Sequence, residues 1–110
     1  MTDPISGRNI PPETQAIYKN EFSRGVKLFE ESLAAYTSTP ADQAEKKAKF
    51  KDVMDKALKI MNQSARGFLN ERGQQEEATL EKDYHSYIHS DSIAAHQKVN
   101  EDLNHLKEII

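Results

Sequence analysis

The sequence predicts an all-α protein, folded as an antiparallel bundle of three long helices. Apolar residues recur every three or four positions along most of the chain, which is the period of an amphipathic helix. The two interruptions of that pattern carry residues that favour helix ends. The composition agrees, because 36% hydrophobic and 30% charged residues suit helices that each bury one face. We expect helices at about 12–37, 40–72 and 75–110.

The first helix should follow a flexible leader at residues 1–11, so that residues 12–110 form a single helical domain. The leader contains two prolines and a glycine and has little to bury. Pro12 and Glu13 suit a helix start, since proline fits the first helical position and a carboxylate favours the positive end of the helix dipole. Gly25 interrupts the apolar stripe and predicts close approach of a neighbouring backbone. The stripe consists of Tyr18, Phe22, Val26, Phe29, Leu33 and Tyr36.

The second helix is predicted from a start signal at Thr39 and a stop signal at Gly73. Thr39 offers a hydroxyl cap, Pro40 fits the first helical position and Asp42 adds a carboxylate in the first turn. Glycine is favoured just beyond a helix end. The apolar stripe between these signals consists of Phe50, Met54, Ala57, Leu58, Met61, Ala65 and Phe68.

The third helix is predicted to run from residue 75 to residue 110 with a local irregularity at Ser90–Ser92, because the apolar phase is kept across that point. Residues 42–72 hold eight basic and five acidic residues, and residues 75–110 hold three basic and eight acidic residues. These opposite balances favour pairing of the second and third helices. Two alternatives stay open at this point. One is a helical hairpin that dimerises, and the other is a continuous second and third helix.

Composition excludes several classes of protein. The chain has no cysteine, so disulfides and thiolate chemistry are absent. A net charge of -3 gives no general attraction to polyanions. Apolar runs are too short to span a bilayer, and the first residues do not have the pattern of a cleavable signal peptide. We therefore expect a soluble protein without membrane contact, in the cytoplasm rather than exported through a signal peptide.

A histidine-based metal site is one alternative function. His85, His89 and His96 follow Glu81 along one side of the predicted third helix, so that neighbouring members could reach a common ion. All four histidines, including His105, lie in this one segment, whereas metal sites in bundles draw ligands from facing helices. A solvated helix face is the simpler interpretation.

Weak nucleic-acid binding is a second alternative. Lys46, Lys47, Lys49 and Lys51 form the densest basic cluster in the chain, and lysines of this kind bind phosphates. Acidic residues interleave with them, and Phe50 between them belongs to the apolar stripe. The pattern is therefore typical of a solvated face.

Catalytic motifs and cofactor-binding loops are not found in the sequence, so we expect neither catalysis nor a cofactor. The function that the pattern favours is a small protein–protein interaction module, such as an adaptor, an assembly or secretion accessory factor, or a chaperone-like binder. It would bind another protein, or itself, by laying a partner helix against exposed apolar positions. The predicted binding residues lie beside the main stripes: Val53, Ile60, Tyr87 and Ile93.

Overall fold

The computed structural model describes residues 11–109, and within that range the protein consists of four helices. These are α1 (Pro12–Ser38), α2 (Ala44–Ala65), α3 (Glu71–Ser90) and α4 (Ile93–Ile109). The all-α class is confirmed, whereas the prediction of three helices is wrong. The predicted leader lies outside the described residues except for Pro11. No helix in the described range is long and apolar enough to cross a membrane.

The four helices run alternately up and down, and each is antiparallel to the next in the chain. In α2 and α3, Asn62 contacts Glu77 and Asp55 contacts Tyr84, so the residue numbers rise on one helix as they fall on the other. In α1 and α4, Thr37 lies beside His96 and Glu30 forms an ion pair with Lys107, which again is an antiparallel arrangement. The chain thus forms two helical hairpins, α1–α2 and α3–α4, that pack against each other.

One hydrophobic core joins all four helices. Aromatic rings cross it edge to face: Phe29 of α1 meets Tyr84 of α3 with ring centres 5.4 Å apart, and Phe22 meets Phe68 at 5.2 Å. Such pairs are stabilising beyond the area that they bury. The buried apolar residues are Phe22, Val26, Phe29, Leu33, Met54, Ala57, Leu58, Met61, Ala65, Leu69, Leu80, Tyr84, Tyr87, Val99, Leu103 and Leu106.

The ends of α2 differ from the prediction at both sides. The Thr39 hydroxyl donates to the Ala35 carbonyl at 2.7 Å, so it closes α1 instead of capping α2. A turn follows, and α2 begins four residues later than predicted, at Ala44. At the other end the amide of Gly67 donates to the Ser64 carbonyl and the helix stops at Ala65, so Phe68 lies in a turn. This turn also contradicts the alternative in which the second and third helices are continuous.

Helix α3 begins at Glu71 because Asn70 caps it. The Asn70 side chain accepts a hydrogen bond from the Gly73 amide at 2.9 Å, which satisfies one of the free N–H groups of the first turn. Gly73, predicted to end a helix, therefore lies inside the first turn of the next one. Its position is buried, and an added methyl group there would lie 3.1 Å from the Leu69 side chain.

A two-residue turn divides the predicted third helix into α3 and α4. Asp91 adopts the left-handed conformation, with φ 52° and ψ 30°, and its amide donates to the Tyr87 carbonyl at 2.7 Å. Aspartate tolerates this conformation better than most residues. The Ser92 hydroxyl then accepts from the Ala95 amide at 3.1 Å and starts α4. The apolar phase survives because Ile88 and Ala95 both pack against the core across the turn.

Gly25 allows α1 and α2 to approach closely, as the sequence predicts. A methyl group added there would lie 2.8 Å from Met61 Cγ and 3.2 Å from the Ala57 carbonyl oxygen. We expect Gly25→Ala to destabilise the protein by about 1–2 kcal/mol, because the overpacking cost exceeds the gain in helix propensity. Urea unfolding followed by circular dichroism measures this change. The matched control is Asn20→Ala on the exposed face of α1, and equal stability of the two variants would contradict the close approach.

Candidate partner-binding site

A groove lies between the first turns of α3 and the last turns of α4. It encloses about 620 Å³, within the range of ligand-sized clefts. We call it the α3/α4 groove, and it is lined by Phe68, Leu69, Asn70, Arg72, Gly73, Glu76, His105, Glu108 and Ile109. Phe68 and Leu69 reach the groove because they lie in the connection just before Asn70, the residue that caps the start of α3.

Apolar and charged side chains both line the α3/α4 groove. Phe68 is half-buried, Leu69 is buried and Ile109 is 43% exposed. Glu76 has one carboxylate oxygen 3.8 Å from Arg72 Nε, whereas its other oxygen is buried and has no hydrogen-bond partner among the described residues. Glu108 adds an exposed carboxylate. The groove therefore offers apolar contact beside an acceptor that a cation would satisfy.

The predicted binding residues do not form one surface. Val53 and Ile60 are half-buried on α2, and Ile60 lies beside Gly25 of α1. Tyr87 is 3% exposed, and its hydroxyl lies 3.1 Å from the Thr37 hydroxyl. Ile93 is 79% exposed at the start of α4. Since α2 and α4 are diagonal in the bundle, Ile93 is separated from Val53 and Ile60. The binding role of this set stays a prediction.

The turn at residues 91–92 separates the histidines that the sequence grouped together. His85 and His89 are exposed on α3, whereas His96 lies on α4 with its ring 5.2 Å from that of Tyr87. His105 is part of the α3/α4 groove. Within residues 11–109 no three histidine or acidic side chains are placed so that they could hold a metal ion.

The lysine cluster is partly engaged in contacts within the protein. Lys47 Nζ lies 4.2 Å from the centre of the Tyr36 ring and donates to the Thr39 carbonyl at 3.4 Å. Lys51 forms an ion pair with Asp55 at 2.9 Å, and this hydrogen bond raises the pKa of Lys51. Lys47 is thus held against the end of α1, and Lys51 is held along α2, so two of the four lysines are engaged within the protein.

A buried carboxyl group was missed by the sequence analysis. Glu77 is 2% exposed, and its Oε1 accepts a hydrogen bond from Asn62 Nδ2 at 3.1 Å. The same amide donates to Glu81 at 3.3 Å. Burial, and then the hydrogen bond with Glu81, raise the pKa of Glu77 to about 8. The signal was present, because Glu77 lies three residues before Leu80 and so takes a place in the apolar stripe of α3.

A second carboxyl pair joins α3 to α4. Asp102 has one buried oxygen without a partner among the described residues. Burial, and then a hydrogen bond with Asp83, raise the pKa of Asp102 to about 7. The α3 helix therefore carries both members of one carboxyl pair, Glu77 and Glu81, beside Asn62 of α2. It carries one member of the other pair, Asp83, which faces Asp102 of α4.

Comparison with protein-family models, with curated proteins and with solved structures finds no match.

Proposed function

We propose that the protein is a helical interaction module that binds an amphipathic helix of another protein in the α3/α4 groove. The observation that supports this proposal is the groove itself, in which apolar side chains lie beside a buried carboxylate oxygen that has no partner in the described structure. Helix-in-groove binding uses apolar anchors from one face of the incoming helix. Because the unpaired oxygen of Glu76 can accept a hydrogen bond from a cation, we expect the partner helix to carry a basic residue beside those anchors.

The groove offers both kinds of contact that such a site needs. Its apolar residues, Phe68, Leu69 and Ile109, would receive the anchors, and Glu76 and Glu108 would meet Lys or Arg side chains at the edge. Partly buried charge pairs of this kind contribute to specificity and to the rate of association. The metal and nucleic-acid alternatives are not favoured by any contact in the described part of the chain.

A fluorescent Leu/Lys peptide of about 18 residues, designed as an amphipathic helix, tests the proposal by anisotropy. We expect it to bind the protein, and Ile109→Ser and Glu76→Gln each to raise the Kd about 3- to 10-fold, equivalent to about 0.7–1.4 kcal/mol. A Leu/Glu peptide of the same length should bind more weakly, because its charges repel Glu76 and Glu108.

Ile93→Ser is the matched control, since Ile93 is a more exposed isoleucine that lies outside the groove. It should leave the Kd within about twofold of the original. Equal weakening by Ile93→Ser and Ile109→Ser, or equal binding of the two peptides, would contradict the assignment to the groove. Weakening by Ile93→Ser alone would instead favour the surface predicted from the sequence.

Val53 and Ile60 provide a separate test of that predicted surface. We expect Val53→Ser with Ile60→Ser to reduce partner capture or self-association while helicity is largely kept, if these residues contact a partner. Light scattering and circular dichroism measure the two effects. General loss of helicity would show that both residues belong to the core.

A further inference from the structure

The contact between α2 and α3 is the boundary between the two hairpins. Packing is dense within α1–α2 and within α3–α4, and it is sparse between α2 and α3. Polar contacts join α2 and α3 at two positions along the helices. Tyr84 donates to Asp55 at 2.8 Å, and Asn62 donates to Glu77 and Glu81. The stability of the boundary therefore depends on a few polar contacts as well as on the apolar core.

The contact among Asn62, Glu77 and Glu81 is incomplete when both carboxyl groups are ionised. One amide serves two acceptors, and the second oxygen of the buried Glu77 has no partner in the described structure. Two like charges would then share one donor at a buried site, which is costly. A single proton shared by the two carboxyl groups removes one charge and adds a donor.

The surrounding charges do not offset this cost fully. Arg66, just after the end of α2, is the cation that acts on Glu77, and Lys59 of α2 lies in the shallow groove beside Glu81. On α3, His85 lines that same groove. Toward α4, Asp83 faces Asp102, which also interacts with Glu101 and Lys98 of its own helix. The acidic groups thus outnumber the basic ones around α3.

We propose that Asn62, Glu77 and Glu81 form a proton-dependent clasp that holds the α1–α2 hairpin against the α3–α4 hairpin. With one proton between the two carboxyl groups the clasp is closed. When both are ionised the clasp weakens, and the hairpins separate along α2 and α3. Separation exposes buried apolar side chains of both helices, such as Leu58 of α2 and Leu80 of α3.

The pH range of this change follows from the raised pKa of Glu77, about 8. The clasp is closed in mildly acidic solution and opens in mildly alkaline solution, because the proton is lost as the pH rises through that value. The clasp lies on the α2 side of α3, whereas the α3/α4 groove lies on the α4 side, so it does not depend on the proposed function.

Spin labels on the two helices test the proposal directly. The chain has no cysteine, so Lys56→Cys and Lys82→Cys introduce the only labelling sites, one on the exposed surface of α2 and one on that of α3. We expect the distance between the labels to be longer and more broadly distributed at about pH 9 than at about pH 6. Glu77→Gln in this background should make the two distributions the same, because the amide is neutral at both pH values.

Glu31→Gln, an exposed carboxyl group on α1, is the matched control and should keep the pH response. If Glu77→Gln does not fold, Glu81→Gln removes the second charge at a half-buried position and should reduce the response by at least about half. The proposal is overturned if the original protein shows no difference between the two pH values. It is also overturned if the folded variants respond as strongly as the original protein.

Discussion

Phe29→Ala is expected to cost about 3–5 kcal/mol of unfolding free energy, because it leaves a large cavity where α1 faces α3. Phe29 is 0% exposed, and its ring meets Tyr84 edge to face at 5.4 Å. Domains of this size are stable by about 5–15 kcal/mol, so the variant should lose a substantial part of its stability. Tyr84 also holds Asp55 across the boundary of the hairpins, so the cavity should loosen that contact too.

Urea unfolding of the variant, followed by circular dichroism, measures this loss. Ile17→Ala on the same helix is the control, because Ile17 is 61% exposed and its truncation should change stability by less than about 0.5 kcal/mol. A loss below about 1 kcal/mol for Phe29→Ala would mean that the ring does not lie in a closed core.

Stability should fall as the pH rises from about 5 to about 9, by roughly 2 kcal/mol or more. The pKa of Glu77 is about 8 in the folded protein, against an ordinary value of 4.5, so between these values the folded state binds more protons than the unfolded state. The stability present below pH 4.5 is therefore lost as the pH approaches 8. Asp102 acts in the same direction, with a pKa of about 7 against 3.8.

Urea unfolding at several pH values measures this slope. Glu77→Gln combined with Asp102→Asn should flatten it, because neither amide titrates, whereas the exposed Glu31→Gln should leave it unchanged. A stability that rises with pH over this range would contradict the burial of both carboxyl groups.

The helical class could be predicted because the apolar stripes are long and regular. The first helix was predicted almost to the residue, since Pro12 starts it and Pro40 limits its other end. The division of the last segment could not be read from periodicity, because a two-residue turn between Ile88 and Ala95 keeps both on the core side. That turn is specified by Asp91 and Ser92, whose side-chain and backbone hydrogen bonds appear only in the folded chain.

Capping residues were the other source of error. Threonine favours the start of a helix, yet Thr39 closes the end of α1. Glycine favours the end of a helix, yet the amide of Gly73 donates to the residue that caps the start of α3. Local sequence does not decide between these roles, because the same residue type can end one helix or start the next. The choice depends on how the neighbouring helices pack. The relative positions of Val53 and Ile93 could not be predicted either, because the apolar pattern does not say which helices are diagonal in the bundle. Their binding role stays a prediction.

Isoleucine-methyl NMR tests most directly whether a basic amphipathic helix binds in the α3/α4 groove. During titration with the Leu/Lys peptide, the methyl signal of Ile109 should shift in proportion to binding, while those of Ile17 and Ile93 stay in place. Shifts at Ile93 with none at Ile109 would place the partner elsewhere and contradict the account.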